Sequence, residues 1–338
     1  MNVLGIESSC DETSVAVISD DRLKANLISS QDFHKKYGGV VPELSSRAHL
    51  QIITPLVRDA LAKSDLKLND IDLVCATAGP GLIGALLVGL TFGKALAYSL
   101  KKTFIPVNHI EGHIYSGFLM DDKPEFPFLS LVVSGGHTLL LLVESFMQIK
   151  KLGSTVDDAA GEAFDKVAKM LGMGYPGGPK IQNASLKGDP SRIKFPVADL
   201  REPYNFSFSG LKTSVLRYIQ KNFPDKNIPE NDLADIASSF QNAVTLALVK
   251  NTKRALENYD VKTISLAGGV AANSFIRNSF IELAKTYDKK IVIPDLEFCG
   301  DNAAMIAFRG QKLFEAGMKY DLSYAPFPAL KEDQYSGS

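Results

Sequence analysis

With 338 residues, 45% hydrophobic and 22% charged, the chain has the composition of a soluble globular protein and enough length for two domains with cores of their own. A formal net charge of −1 excludes any global attraction to nucleic acid, so such a contact must come from a local patch. Cys10, Cys75 and Cys299 lack a CxxC spacing, which excludes a disulfide framework and suits a reducing cytosol; the first residues show no basic and apolar regions of a secretion signal.

In chain order, Val3–Ile6 and Ser14–Ile18 are apolar runs around the polar segment Glu7-Ser-Ser-Cys-Asp-Glu-Thr13, which predicts a strand, a small loop and a returning strand. A helix is expected around Leu50 to Ala62, a strand at Asp72–Ala76, and a long helix from Gly81 to Leu100. That helix has the length of a membrane span, but Lys94, four glycines and flanking strand patterns predict burial in an α/β domain instead. Gly79-x-Gly81-x-x-Gly84 matches the dinucleotide fingerprint in form only, because the next strand ends at Asn108-His109 with no acid to hold a ribose. Close packing of helix on sheet explains these glycines equally well.

Thr103–Val107 reads as a strand, and Asn108 with Glu111 three residues on reads as a capping box. His109 and His113, two of only five histidines, then share one helix face a turn apart, the separation that one metal ion needs from two nitrogen ligands. An ordinary pair of helix histidines is the bland alternative. Glu111 lies about 200° around the helix from His109, unlike the zincin glutamate that directly follows its histidine, so capping is its expected job.

Leu129–Val133, the loop Ser134-Gly-Gly-His-Thr138 and Leu139–Val143 repeat the first hairpin, suggesting two lobes of related design with anion-capable loops. Asp157 to Asp165 reads as an acid-led helix start, followed by the turn Gly174-Tyr-Pro-Gly-Gly-Pro179. Residues 180–226 read as irregular and carry nine Lys/Arg against four Asp/Glu. Thr263–Ala267 then runs into Gly268-Gly269 at a helix start, a recurrent nucleotide contact. Lys290–Pro294 is the last strand, Gly300-Asp301-Asn302 opens a final helix to Gly317 with Asp301 placed to cap it, and the tail after Tyr320 is expected to be loosely held. Together these features favour a nucleotide-dependent enzyme with a metal ion, whose third ligand is open among Asp301, His137 and Cys299.

Seven motifs in register closely resemble the TsaD family of tRNA adenosine threonylcarbamoyltransferases, once described as O-sialoglycoprotein endopeptidases. They are Glu7 to Thr13, Asn108 to His113, Ser134 to Thr138, Asp158-Ala-Ala-Gly-Glu-Ala-Phe-Asp-Lys166, Tyr175-Pro-Gly-Gly-Pro179, Ser207-Phe-Ser-Gly-Leu-Lys-Thr213 and Ala267-Gly-Gly-Val-Ala-Ala-Asn273. The resemblance implies a two-lobed actin/Hsp70/sugar-kinase-like α/β fold with duplicated ribonuclease-H-like cores. Lobe I is expected at residues 1–107, lobe II with the nucleotide and metal site at 108–301, and the helix at about 302–320 packing back on lobe I. The implied reaction moves the threonylcarbamoyl group of threonylcarbamoyl-adenylate to the exocyclic amine of the adenosine 3′ of the anticodon, with AMP leaving.

The family's metal ligands fall on His109, His113 and Asp301, with Fe2+ favoured and Zn2+ the alternative. Its adenylate contacts fall on Val132, Val133, Ser134, Gly135, Gly136, Asp165, Gly178 and Asn273; Gln182 replaces an Asp of many members and is left out. Glu12 and Asp11 are candidates to assist proton removal from the attacking amine. Implied partners are tRNA, a TsaB-like paralogue and a TsaE-like ATPase, in the cytoplasm and without a membrane. For tRNA the expected surface is a basic shelf of Lys187, Arg192, Lys194 and Arg201. Rival readings are a metal-dependent glycoprotease, a nucleotide-binding scaffold and a sugar or acetate kinase.

Overall fold

The computed structural model describes residues 1–225 and 227–330. Two compact units divide it: residues 1–123, 146–149 and Pro294 onward form the first, and residues 124–145 and 150–293 the second.

The first unit opens with an antiparallel meander, β1 (Asn2–Glu7), β2 (Glu12–Ser19) and β3 (Arg22–Ser30). Helix α1 (Pro42–Lys63) leads to β4 (Leu73–Gly79), and α2 (Ile83–Leu100) to β5 (Thr103–Asn108), both strands adding in parallel. The sheet order is β3-β2-β1-β4-β5. Its central strands are apolar on both faces because both are covered. Leu4, Ile6, Val15, Val17, Val74 and Ala76 pack with Ile53 and Val57 of α1 and Leu90 of α2. The alternate positions Val3, Ile18, Leu73, Cys75, Ile105 and Val107 pack with Met305 and Ile306 of the last helix, α10 (Ala303–Glu315).

The second unit repeats the plan. Strands β6 (Phe128–Val133), β7 (Thr138–Ser145) and β8 (Gln148–Ser154) form the meander, while β9 (Thr263–Ala267) and β10 (Lys290–Val292) add in parallel, in the order β8-β7-β6-β9-β10. Between β8 and β9 come α4 (Ala160–Met170), α5 (Gly177–Ser185), α6 (Ser209–Asn222) and α7 (Glu230–Asn258); α8 (Ser274–Thr286) joins β9 to β10, after which the short α9 (Leu296–Cys299) belongs again to the first unit.

Several expectations are corrected. Residues 108–123 belong to the first unit, because β5 runs directly into α3 (His109–Tyr115) and α3 packs on α10; the boundary at 107 therefore falls too early, and lobe II does not carry the metal residues. The segment 180–226 is only partly irregular, since α5 and α6 occupy much of it, and its Lys226 lies outside the described residues. Asp157 and Asp158 precede α4 rather than lead it: Asp157 Oδ1 accepts from the amides of Phe208 and Ser209 and so caps α6, while Asp158 pairs with Lys166 and Lys212, each at 2.7 Å.

The described part of the tail is docked, not loose. Phe327 N donates to the Ala78 carbonyl at 2.9 Å, Gly81 N donates to that of Pro328 at 3.3 Å, and the Lys94 ammonium reaches the Tyr324 carbonyl. Tyr324 and Phe327 cover the α1/α2 side of the core. Residues 331–338 lie outside the described residues. The glycines of the fingerprint-like turn serve packing, as Cβ atoms at Gly79, Gly81 and Gly84 would stand 2.0–2.5 Å from Phe327 O, Ser9 O and Ser46 Oγ.

Candidate metal centre and substrate loops

Helix α3 begins where β5 ends, and Asn108 caps it by accepting from the amides of Ile110 and Glu111. His109 and His113 therefore leave the first turn and a half on one face. Asn302, not Asp301, caps α10 by accepting from Met305 N. That leaves Asp301 free to turn toward the histidines: its Oδ1 lies 3.1 Å from His113 Nε2 and 3.5 Å from His109 Nε2. Donors bound at about 2.1 Å to a common ion are separated by about 3.0–3.4 Å. These three ligand atoms lie within 4.8 Å of one another, so the donor set fits one metal ion.

Among the other candidates for third ligand, Cys299 is buried with Sγ donating to the Pro294 carbonyl, and His137 belongs to a turn of the second unit.

Glu7 was not assigned a role from sequence. Fully buried at the end of β1, it accepts at Oε2 from His109 Nδ1 at 3.0 Å and from Thr77 Oγ1 at 2.7 Å, and at Oε1 from Ser9 N at 2.5 Å. A carboxylate behind a histidine fixes which ring nitrogen faces the metal, here Nε2. An acid closing a fully apolar strand was the available signal. Burial opposes charge on His109, but Asp301 and Glu7 outweigh it and hold its pKa well above the ordinary 6.5. Likewise burial disfavours a charged Asp301, yet His109 and His113 hold its carboxyl well below the usual range. Glu12 goes the other way. Burial, with the Asp301 and Asp11 carboxylates nearby, pushes it up to about 9.

Glu111 is engaged in a fully buried ion pair, its Oε2 accepting from Arg309 Nε at 2.6 Å. The pair ties α3 to α10, the two elements that bring the metal residues together. This is a task beyond the expected capping role, and it argues against Glu111 as a protease base.

In the second unit, Val132 and Val133 are fully buried, so only their backbone can meet a ligand. Ser134 to His137 forms a tight turn, with Ser134 N donating to His137 O at 2.8 Å. At its exposed tip, Cβ atoms at Gly135 and Gly136 would have nothing within 4 Å. Four contacts link this turn in a circuit with the other predicted residues. Gly161 N donates to Ser134 O at 3.2 Å, Asp165 Oδ1 accepts from Gly177 N at 2.6 Å, Gln182 Oε1 accepts from Ser274 N at 2.9 Å, and Gly268, at φ +91°, lies against Val133 O. Asn273 caps α8 and donates to Gln241 Oε1 at 2.7 Å. The Gln182 amide thus closes the start of α8, a role the sequence did not suggest.

Duplicated five-stranded sheets of the same order place the chain among α/β proteins of the actin/Hsp70/sugar-kinase type, with a His/His/Asp centre able to hold a metal ion. Solved structures share that fold: a HypF from T. kodakarensis (TM-score 0.66, 16% identity, 94% of this chain and 48% of that one) and the activator of 2-hydroxyisocaproyl-CoA dehydratase from Clostridium difficile (0.50, 14%, 95% and 99%). The family model for TsaD, tRNA N6-adenosine threonylcarbamoyltransferase, matches residues 22–308. Relatives bearing that name include those of Kosmotoga olearia, 52% identical over 98% of both chains, and Thermosipho africanus, 50% identical over 98% of this chain and all of that one. The chain belongs to the TsaD family.

Proposed function

We propose that the chain transfers the threonylcarbamoyl group of threonylcarbamoyl-adenylate to N6 of the adenosine 3′ of the anticodon, in tRNAs reading codons that begin with A. The observation that carries this reading is the near-full-length identity of about half to relatives named for the transfer. In the reaction the N6–carbonyl bond forms, the bond from the carbonyl to phosphate oxygen breaks, AMP departs with that electron pair, and N6 loses one proton. The donor already has a good leaving group, so no covalent intermediate is needed. What the protein adds is orientation and charge stabilisation.

His109, His113 and Asp301 are the residues to hold the metal, with Fe2+ favoured over Zn2+ for a two-histidine, one-carboxylate set. When bound, the ion supplies a Lewis-acidic positive charge for substrate oxygens. Glu7 keeps His109 turned for that task. The turn tip at Gly135 and Gly136 is suited to receive the phosphate through backbone amides, with Gly178 and the start of α8 beside the nucleoside and Asp165 holding the Gly177 turn in place. Asp11, just before β2, and Glu12, its first residue, are assigned to the proton on the attacking amine. Pushed up to about 9, Glu12 holds a proton at neutral pH in the metal-free chain.

Partners are proposed as well. Helix α2 buries its glycine and alanine face, yet leaves Ile83 and Leu87 about half exposed and Tyr98 75% exposed; Leu50 of α1 lies beside Leu87 in an open apolar groove. A TsaB-like paralogue fits that surface better than solvent does. A TsaE-like ATPase and a cytoplasmic location complete the reading, the latter suited to three free cysteines. Single-turnover transfer from threonylcarbamoyl-adenylate to unmodified tRNA tests the whole, with peptide cleavage and ATP hydrolysis as controls. Absence of transfer with a metal-loaded chain and its partner proteins would sink it.

A further inference from the structure

The loop after β1 is gripped from outside by a residue that neither the metal reading nor the family reading uses. His49, on α1, is fully buried. Its Nε2 lies 3.0 Å from the Cys10 carbonyl and its Nδ1 lies 2.7 Å from Thr13 Oγ1. A carbonyl only accepts, so Nε2 carries the hydrogen and donates to Cys10. Nδ1 is then bare and accepts from the Thr13 hydroxyl. Burial lowers the pKa of His49, which agrees with a neutral ring. One imidazole thus joins the residue before Asp11 to the residue after Glu12.

The rest of the network braces the same segment. Ser45 Oγ, one turn earlier on α1, donates to the same Cys10 carbonyl, and Gln31 N donates to Asp11 O at 3.1 Å. Gln31 is fixed in turn: Oε1 accepts from His34 Nε2 at 2.9 Å, and Nε2 donates to Ser45 O at 3.3 Å. His34 Nδ1 accepts from Val41 N at 3.2 Å, which settles its tautomer. Such a chain of buried, mutually satisfied groups fixes a backbone segment more tightly than packing alone.

We infer that His49 is a positioning residue for the transfer: by holding the Cys10 carbonyl and the Thr13 hydroxyl, it sets where Asp11 and Glu12 stand against the attacking amine. This rests on the reading that those two carboxyl groups serve the reaction. Displacing a reacting group by about 1 Å can cost about 100-fold in rate.

The experiment compares steady-state kcat and KM of transfer by Thr13→Val, His49→Leu, His49→Gln and the Thr13→Val/His49→Leu double variant, with Asp11→Asn and Glu12→Gln as references. Thr13→Val is nearly isosteric and removes only the hydroxyl, so it reads the contact even if His49→Leu folds poorly. Expected are losses of roughly 10- to 100-fold in kcat for Thr13→Val and His49→Leu, with metal stoichiometry and KM for the adenylate unchanged. His49→Gln, which keeps a donor for Cys10, should recover part of the loss, and the double variant should be no slower than His49→Leu. Wild-type kcat in folded Thr13→Val and His49→Gln, with the reference variants impaired, would overturn the positioning role alone. So would losses that multiply in the double variant, or a fall in kcat matched by loss of metal. If Asp11→Asn and Glu12→Gln both turn over normally, the assignment of the carboxyl groups fails first, and the inference goes with it.

Discussion

In the first unit, the strand β1 ends in Glu7 and a loop whose side chains and carbonyls are taken up by His109, Thr77, Ser45 and His49. In the second, the matching strand β6 ends in Ser134 and two glycines at an exposed turn with room around them. The sheet order is the same, yet one strand end carries buried charge and the other bare backbone. A ribonuclease-H-like core thus fixes where a strand end stands, while the residues after it decide what that end can bind. A metal ion needs side-chain donors at set distances. A phosphate needs close approach to amides, which any side chain would block.

The largest effect should come from breaking the charged end. His113→Ala removes one of three donors and should abolish metal stoichiometry while leaving the fold near wild-type stability. The transfer rate should fall at least about 100-fold, the scale of losing a preorganised electrostatic contact. Unchanged metal content by elemental analysis would show the ion to be held elsewhere.

Gly136→Val tests the backbone end. A side chain there meets no protein atom within 4 Å, so the variant should fold normally. Adenylate binding should nevertheless weaken by more than tenfold, about 1.4 kcal/mol or more. Wild-type affinity by calorimetry would remove this turn from the site.

How far the two ends were legible in the sequence differs for the same reason. The apolar central strands and the glycine turns announce themselves by period and composition. His109 and His113 share a face by spacing alone, but Asp301 comes from far along the chain, and only the family resemblance selected it. Strands β3 and β8 escaped because they are sheet edges, half exposed and mixed in polarity, with Lys24 and Asn26 in one and Lys150 and Lys151 in the other. Glu7, the Glu111–Arg309 pair and the docked Tyr324–Phe327 segment depend on contacts distant in sequence, which no local pattern encodes.

A smaller effect separates Glu12 from its charged neighbours. In the folded metal-free chain Glu12 keeps its proton to about pH 9, against an ordinary value of 4.5. The folded state therefore binds more protons than the unfolded state across that window, and this group makes stability decline as pH rises through it. Glu12→Gln removes that contribution. Its Tm, minus that of wild type, should grow from pH 5 to pH 9 in the presence of chelator. A constant difference would mean that Glu12 is ionised in the folded chain after all.

The smallest effect is expected on the surface, where both ends must defer to the tRNA. Segment 180–226 carries nine basic and four acidic residues, +5 against a whole-chain charge of −1. Part of that excess is already answered within the chain: Lys187 pairs with Glu230 at 2.9 Å, Arg192 Nε lies 3.9 Å from Asp235, and Lys212 pairs with Asp158. The cations of the first two pairs are exposed and such pairs are weak, so tRNA phosphates can still compete for Lys187 and Arg192. Each then gives up a partner on binding, and its net contribution shrinks. Replacing Lys187, Arg192 and Lys194 together with Ala should weaken tRNA binding severalfold. The plot of log K against log salt should flatten by less than the roughly 0.9 per contact expected of unpaired cations. Metal and adenylate binding should stay at wild-type levels, because their residues lie elsewhere in the sequence. If affinity and salt slope are both unchanged, the shelf is only a solvated face, and the tRNA must be held by other surfaces or by partner proteins.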